Sequence, residues 1–240
     1  AYGDNSGLTQ RIDRLEREGL TFGRVYATGT RTVRGLEALS LGTPPIPGQA
    51  IVRRPNNDKL ATLGEILRQQ GYESLFLYGG HGYFDNMNTY FAGNDYRVVD
   101  RTDFPKSSIV FANIWGVADE SLYANALAEL DGAHRQGKPF VAHIMTTSNH
   151  RPYTYPDGRI DIPSPGKRPG AVKYTDYAIG QFIDLARSKP WFADTLFVIT
   201  ADHCASAAGK TSLPVKGYHI PLILYGPDLV RPGRIDRVVS

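Results

Sequence analysis

A chain of 240 residues with 41% hydrophobic and 21% charged residues can bury the core of one α/β domain, and nothing in its composition suggests a disordered tail. The net charge of +3 comes from dispersed basic residues, so no nucleic-acid partner is expected. Cys204 is the single cysteine, which excludes an internal disulfide and a cysteine-based zinc site, and no apolar run reaches the length of a membrane span.

In chain order, "GLTQRIDRLEREG" (Gly7–Gly19) places Leu8, Ile12 and Leu15 on one helical face, with Gly19 as its stop. "LTFGRVYA" predicts extended chain, and it leads into "YATGTRTVRGLEAL" (Tyr26–Leu39). There "VRGLEALSLG" predicts a short helix ended by Gly42 and the breaker "TPPIPG". "LATLGEILRQQG" is an amphipathic helix closing on Gly71, followed by the strand "SLFLYGG". "DESLYANALAELDGAHRQG" predicts the longest helix, and the apolar strand "PFVAHIMTT" follows it. Arg151–Gly170, rich in Pro and Gly, predicts a surface loop. The helix "AVKYTDYAIGQFIDLARS", the strand "TLFVITADH" and the strand "IPLILYGP" complete the series.

Short apolar strands alternating with helices predict an α/β fold, with a mainly parallel central sheet and helices on both faces. In such sheets chemistry gathers beyond the carboxyl ends of the strands. That rule selects "GGHGYFDN", "TTSNH" and "ADHC", together with the threonines of the opening stretch, as one polar rim. Because the chain opens on Ala1 and closes on the strand-like "RIDRVVS", residues 1–240 are expected to be a single domain cut from a longer protein at both ends.

Asp202 and His203 sit where a strand ends. A carboxylate oxygen beside an imidazole nitrogen suits Mn²⁺, Zn²⁺ or Mg²⁺, although an Asp-His pair also occurs as a plain turn. Thr32 stands at a helix mouth, where the free N–H groups and the helix dipole favour an anion. It is either an N-cap or a metal-activated hydroxyl that attacks phosphorus. Arg31 and Arg34 are candidates to pair with phosphate oxygens, or are solvated surface charges. His150 can contact a phosphate or protonate a leaving group, or simply serve its loop. His219 precedes a strand and is within reach of the same rim, while His81, Asp85 and Asn86 form a candidate substrate wall. His143 is expected in the core, His134 on the surface, and Cys204 as a packing residue.

Taken together and in order, "ATGTRTVRGLEAL", "WGVADESLY", "TTSNHRPY" and "TADHC" before "HIPLILYGP" resemble the extracytoplasmic catalytic domain of lipoteichoic-acid synthase-type phosphoglycerol transferases, in the alkaline phosphatase/sulfatase superfamily. The resemblance implies that Thr32 is the nucleophile and a metal ligand, that Asp202 and His203 complete the metal pair, and that His150 meets the substrate phosphate. It places His219 on a further site histidine of the related phosphoethanolamine transferases. It also implies a divalent metal (Mn²⁺ first, then Zn²⁺ or Mg²⁺), a phosphatidylglycerol-like lipid donor, and a glycan or polyol-phosphate acceptor. The parent protein would be anchored in a membrane, with this domain in the periplasm or on the outer face.

Two departures stand out. The family's acidic metal ligand ends a first strand that has no counterpart here, and Asp4 is not expected to replace it. Phe84, Asp85, Asn86 and Met87 stand where lipoteichoic-acid synthases carry a Trp and an Arg. A phosphodiesterase, phosphonate hydrolase or sulfatase on the same scaffold is the nearest rival, and a metal-free binding domain is a second. A formylglycine sulfatase is disfavoured, because Cys204 lies in no Cys-x-Pro-x-Arg setting.

Overall fold

The computed structural model describes residues 6–205 and 214–240. The helices are α1 (Gln10–Glu18), α2 (Thr32–Leu41), α3 (Leu63–Arg68), α4 (Met87–Gly93), α5 (Asp119–Arg135) and α6 (Lys167–Ala186). The strands are β1 (Leu20–Tyr26), β2 (Glu73–Tyr78), β3 (Arg97–Val99), β4 (Phe140–Met145), β5 (Phe197–Thr200), β6 (His219–Ile220), β7 (Leu222–Tyr225) and β8 (Gly233–Val239). The α/β alternation anticipated from the sequence is therefore present.

Among the described residues the strands form two sheets rather than one. In the first, β2 lies between β3 and β4, all parallel. The second is mixed: β1 runs antiparallel to β6 and β7 and parallel to β8, while β5 pairs antiparallel with β7. The reason is the connection. A parallel return needs a crossover helix, whereas the described residues between β5 and β7 include only a short turn at Val215–Tyr218 and the two-residue β6.

β2 shows why helices cover both faces. Leu75 and Leu77 point into a core with Leu122, Ala126, Leu130, Phe182 and Ile183 of α5 and α6. Phe76 and Tyr78, one residue out of phase, point into a second core with Leu36, Tyr90 and Phe91 of α2 and α4. Burying both faces removes the apolar/polar alternation that a half-exposed strand would show. The first core also holds Phe197 and Tyr225, so it ties the mixed sheet to the parallel one.

α2 ends where expected, with Gly42 at φ 64° and its N–H on the Ala38 carbonyl at 2.8 Å. α6 starts earlier than its apolar pattern suggested and, at 20 residues, is longer than the 17-residue α5. Pro169 is the third helical residue, a position whose N–H has no intrahelical partner in any case, so proline does not break the helix there. α1 is capped from outside its own sequence. Buried Asp176 of α6 accepts the N–H groups of Arg11 and Ile12 at 3.0 and 2.7 Å. Among the described residues no helix is long and apolar enough to cross a membrane.

Candidate active site

Thr32 opens α2, yet its hydroxyl caps nothing. The N-cap is Arg31, in extended conformation, and its carbonyl accepts the N–H groups of Arg34 and Gly35. Thr32 Oγ1 instead faces His203 Nε2 at 3.4 Å. Thr28 behaves as a shaping residue, its hydroxyl donating to the Arg34 carbonyl at 3.4 Å.

His203 lies in the turn after β5. Its N–H donates to Asp202 Oδ1 at 2.9 Å, and its Nδ1 lies 3.0 Å from the Cys204 carbonyl. That carbonyl accepts only, so Nδ1 donates to it, and Nε2 is the ring nitrogen that faces Thr32. Nε2 is also 3.5 Å from Asp202 Oδ2. Neighbouring ligands of a tetrahedral ion are roughly 3.4 Å apart when bonds are about 2.1 Å. The hydroxyl–imidazole and imidazole–carboxylate separations match that spacing, so these side chains could hold a divalent cation. Any such set would be open, since no group of three or more His, Cys, Asp or Glu side chains that could hold a metal occurs among the described residues. Asp4 lies outside those residues.

Gly35 allows this approach. A Cβ there would fall 2.6 Å from the Asp202 carbonyl oxygen and 2.7 Å from its Cβ, so only glycine lets α2 rest against the Asp202–His203 turn. The charge of Asp202 reaches the ends of β2 and β4. Burial pushes Tyr78 up to about 12, with Asp85, Asp100 and Asp202 adding to the shift, and Asp202 opposes the burial that pushes His143 down to about 4. His143 is half-buried and packs against Phe76 and Phe91 at the edge of their core. Burial, opposed by Arg168, raises the Cys204 thiol, which donates to the His219 carbonyl at 3.1 Å, so it too behaves as a packing residue.

His150 follows β4 and is exposed. Its ring lies 3.8 Å from the Trp115 ring, centroid to centroid, at 38°, and its Nδ1 lies 3.0 Å from the Arg151 carbonyl. The loop that carries it is anchored by Asp119, which is fully buried at the start of α5. Asp119 Oδ1 accepts the N–H groups of Thr147 and Ser148 at 3.1 and 2.9 Å, and Oδ2 accepts the Thr175 hydroxyl at 3.1 Å. The stretch "WGVADESLY" alone assigns no role to Trp115 or Asp119. An acidic residue in a first helical turn already has an ordinary electrostatic explanation.

The structure gives four expected substrate-facing residues other partners. Arg34 donates to buried Glu37 at 2.7 Å and to the Gly48 carbonyl, while Glu37 accepts the Ile51 N–H at 2.6 Å. The guanidinium therefore clamps α2 to the next loop. Asp85 pairs with Arg53 at 3.5 Å, and Asn86 donates to the Val52 carbonyl at 2.9 Å, both from left-handed backbone. His219 Nε2 lies 2.9 Å from the Gly23 carbonyl and its ring packs on Tyr26, so it faces β1. His81 stays on the rim beside Tyr83, with ring centroids 5.4 Å apart. The glycine turn around His81 is fixed by buried Asp100, which accepts from Gly82, Asn88 and Thr102. Burial alone would raise that carboxyl; these hydrogen bonds outweigh it and hold it below the ordinary range. Arg31 is exposed, and its guanidinium has no partner among the described residues.

The sulfatase family profile matches residues 1–240. Phosphoglycerol transferase I of Salmonella arizonae is 28% identical over 229 residues, covering 85% of this chain and 29% of that protein. Its counterpart in Salmonella newport is 27% identical over 231 residues, with the same coverage. Among solved structures, a protein in the alkaline phosphatase superfamily from Vibrio parahaemolyticus superposes with a TM-score of 0.91 at 41% identity, over 96% of this chain and 57% of that one. The lipoteichoic acid synthase LtaP from Listeria monocytogenes shares the fold, with a TM-score of 0.82 at 20% identity, over 95% and 62% of the two chains. The chain spans less than a third of the length of these curated relatives.

Proposed function

The chain belongs to the sulfatase family, and on that premise we propose that it is the catalytic domain of an enzyme moving a phosphoglycerol-type group from a membrane phospholipid to a glycan or polymer acceptor. Relatives named phosphoglycerol transferase I support the reaction class. The observation that carries the reading is the Thr32 hydroxyl, free of capping duty and 3.4 Å from His203 Nε2.

In this reading Thr32 Oγ1 attacks the lipid phosphorus. The bond from phosphorus to the diacylglycerol oxygen breaks, diacylglycerol leaves with a proton, and phosphoglycerol remains esterified to Thr32. An acceptor hydroxyl then attacks the same phosphorus and frees the Thr32 hydroxyl. Arg31 pairs with phosphate oxygens through the step, and His150 donates to a phosphate oxygen or to the leaving group. A divalent cation, Mn²⁺ in the first place with Zn²⁺ or Mg²⁺ as alternatives, would be held by Thr32, Asp202 and His203, and when bound it favours loss of the hydroxyl proton and offsets phosphate charge. Such a domain works on the outer side of a membrane that holds its donor, as part of an anchored parent protein.

The test uses the full-length protein with phosphatidylglycerol vesicles. Thr32→Ala is expected to abolish diacylglycerol release, and Thr32→Ser to keep a fraction of it. Undiminished release by Thr32→Ala sinks the nucleophile assignment. Product analysis separates transferase from hydrolase. Free glycerol phosphate in equal amount with and without glycan acceptor would establish the hydrolase instead.

A further inference from the structure

We propose that Trp115 is a positioning residue whose indole face holds the imidazole of His150 for its work on the phosphate. The proposal rests on the reading of His150 given above.

His150 is exposed and sits on a loop, so its ring orientation must be set by something outside its own backbone. Two contacts set it. The indole lies against the ring, with centroids 3.8 Å apart, and Nδ1 is 3.0 Å from the Arg151 carbonyl. The carbonyl engages one nitrogen, which leaves Nε2 as the ring nitrogen without a protein partner among the described residues. The indole blocks one face of the ring and limits its rotation.

Trp115 is itself held rigidly. Its N–H and that of Gly116 donate to Asn113 Oδ1 at 2.8 and 3.2 Å, and the Asn113 N–H donates to the Gly116 carbonyl at 2.8 Å. Asn113 Nδ2 donates to Thr154 Oγ1 at 3.0 Å, which joins this turn to the chain just beyond His150. Gly116 is pressed against the strand ends, since a Cβ there would lie 2.5 Å from both the Gly79 carbonyl oxygen and Thr147 Oγ1. Phe84 meets the indole edge to face, at 5.6 Å and 86°. A plate fixed to the ends of β2 and β4 thus carries the imidazole of an exposed side chain. Holding a group in its reactive orientation is where large rate effects arise from small displacements.

The experiment uses the full-length protein and phosphatidylglycerol vesicles, with Trp115→Leu and Trp115→Phe made alone and in a His150→Gln background. Trp115→Leu is expected to lower kcat by about 10- to 100-fold, with KM changing much less. Trp115→Phe, which keeps a flat face, is expected to recover most of that loss. In His150→Gln, adding Trp115→Leu is expected to change nothing further. In NMR spectra the His150 ring protons, shifted upfield by the indole ring current, are expected to move downfield in Trp115→Leu. An undiminished effect of Trp115→Leu in the His150→Gln background overturns the proposal, and so do unmoved ring-proton resonances. If His150→Gln alone leaves turnover intact, the reading of His150 has failed and the proposal fails with it. A slow His150→Gln protein with no ring-current shift overturns the positioning role alone.

Discussion

Gly35 and Asp202 touch backbone to backbone, with no room for a side chain between them: a Cβ at Gly35 would lie 2.8 Å from the Asp202 Cα. This contact sets the distance between the mouth of α2 and the turn that carries His203. Gly35→Ala adds one methyl group in a helix interior, where alanine is otherwise preferred over glycine by roughly 0.5–1 kcal/mol. Overpacking costs about 1–3 kcal/mol and outweighs that preference. The expected result is a modest fall in Tm together with a fall in turnover of about 100-fold, because Thr32 and His203 are pushed apart. Thermal unfolding and vesicle turnover on the same preparation check it. Full turnover in Gly35→Ala would mean that the approach of α2 to Asp202 is not needed.

Arg31 and Arg34 flank Thr32 and are expected to separate cleanly. Arg34 holds Glu37, whose side chain is 1% exposed, and its loss leaves that buried carboxylate with the Ile51 N–H as its partner among the described residues. Breaking such a pair costs about 3–5 kcal/mol, so Arg34→Ala should lower Tm sharply. Arg31→Ala should leave Tm unchanged and raise KM for the phosphodiester, since its guanidinium has no structural partner among the described residues. Denaturant unfolding beside steady-state kinetics reads both. The reverse pattern would exchange their roles.

Asp119 holds the loop that carries His150 by accepting two backbone N–H groups on one oxygen. An asparagine carbonyl can accept the same two, and its amide can donate to Thr175. Asp119→Asn is therefore expected to be mild. Asp119→Ala leaves buried donors unsatisfied, at about 1–3 kcal/mol for each, and should both destabilise the protein and slow turnover. Hydrogen exchange at Thr147 and Ser148 is the direct readout: slow in the native protein and in Asp119→Asn, fast in Asp119→Ala. Equal protection in all three removes Asp119 from this role.

The parts of the site visible in the sequence were those that depend on local order along the chain. Asp202–His203 after an apolar strand is marked by the rule on strand ends, Thr32 by its place before a helical pattern and by the family resemblance, and the structure brings Thr32 and His203 within 3.4 Å. Pairing direction was not visible, because an apolar run such as "PLILYG" is compatible with either direction. The same limit hid the fates of Arg34, Asn86 and His219, whose partners are the buried Glu37 and the Val52 and Gly23 carbonyls. Backbone acceptors leave no trace in composition or periodicity. Gly35 and Trp115 were hidden for a related reason: a glycine within a helix and a tryptophan in a turn take their meaning from what the fold brings against them.

His143 offers a test of the packed strand end through pH. Burial against Phe76 and Phe91 pushes its pKa from 6.5 down to about 4, with Asp202 opposing the shift. Between those two values the unfolded chain binds a proton that the folded protein refuses, so stability must fall as pH falls through this window. The contribution is fully present above about pH 6.5, declines toward pH 4 and is level below that. His143→Phe keeps an aromatic ring and removes the titration. The difference in unfolding free energy between the native protein and His143→Phe should therefore shift against the native protein as the solution is acidified from pH 6.5 to about 4. Urea unfolding at half-unit pH steps measures it. A difference independent of pH across that window would show that His143 is free to protonate in the folded state, and that β4 is not packed against Phe76 and Phe91 in solution.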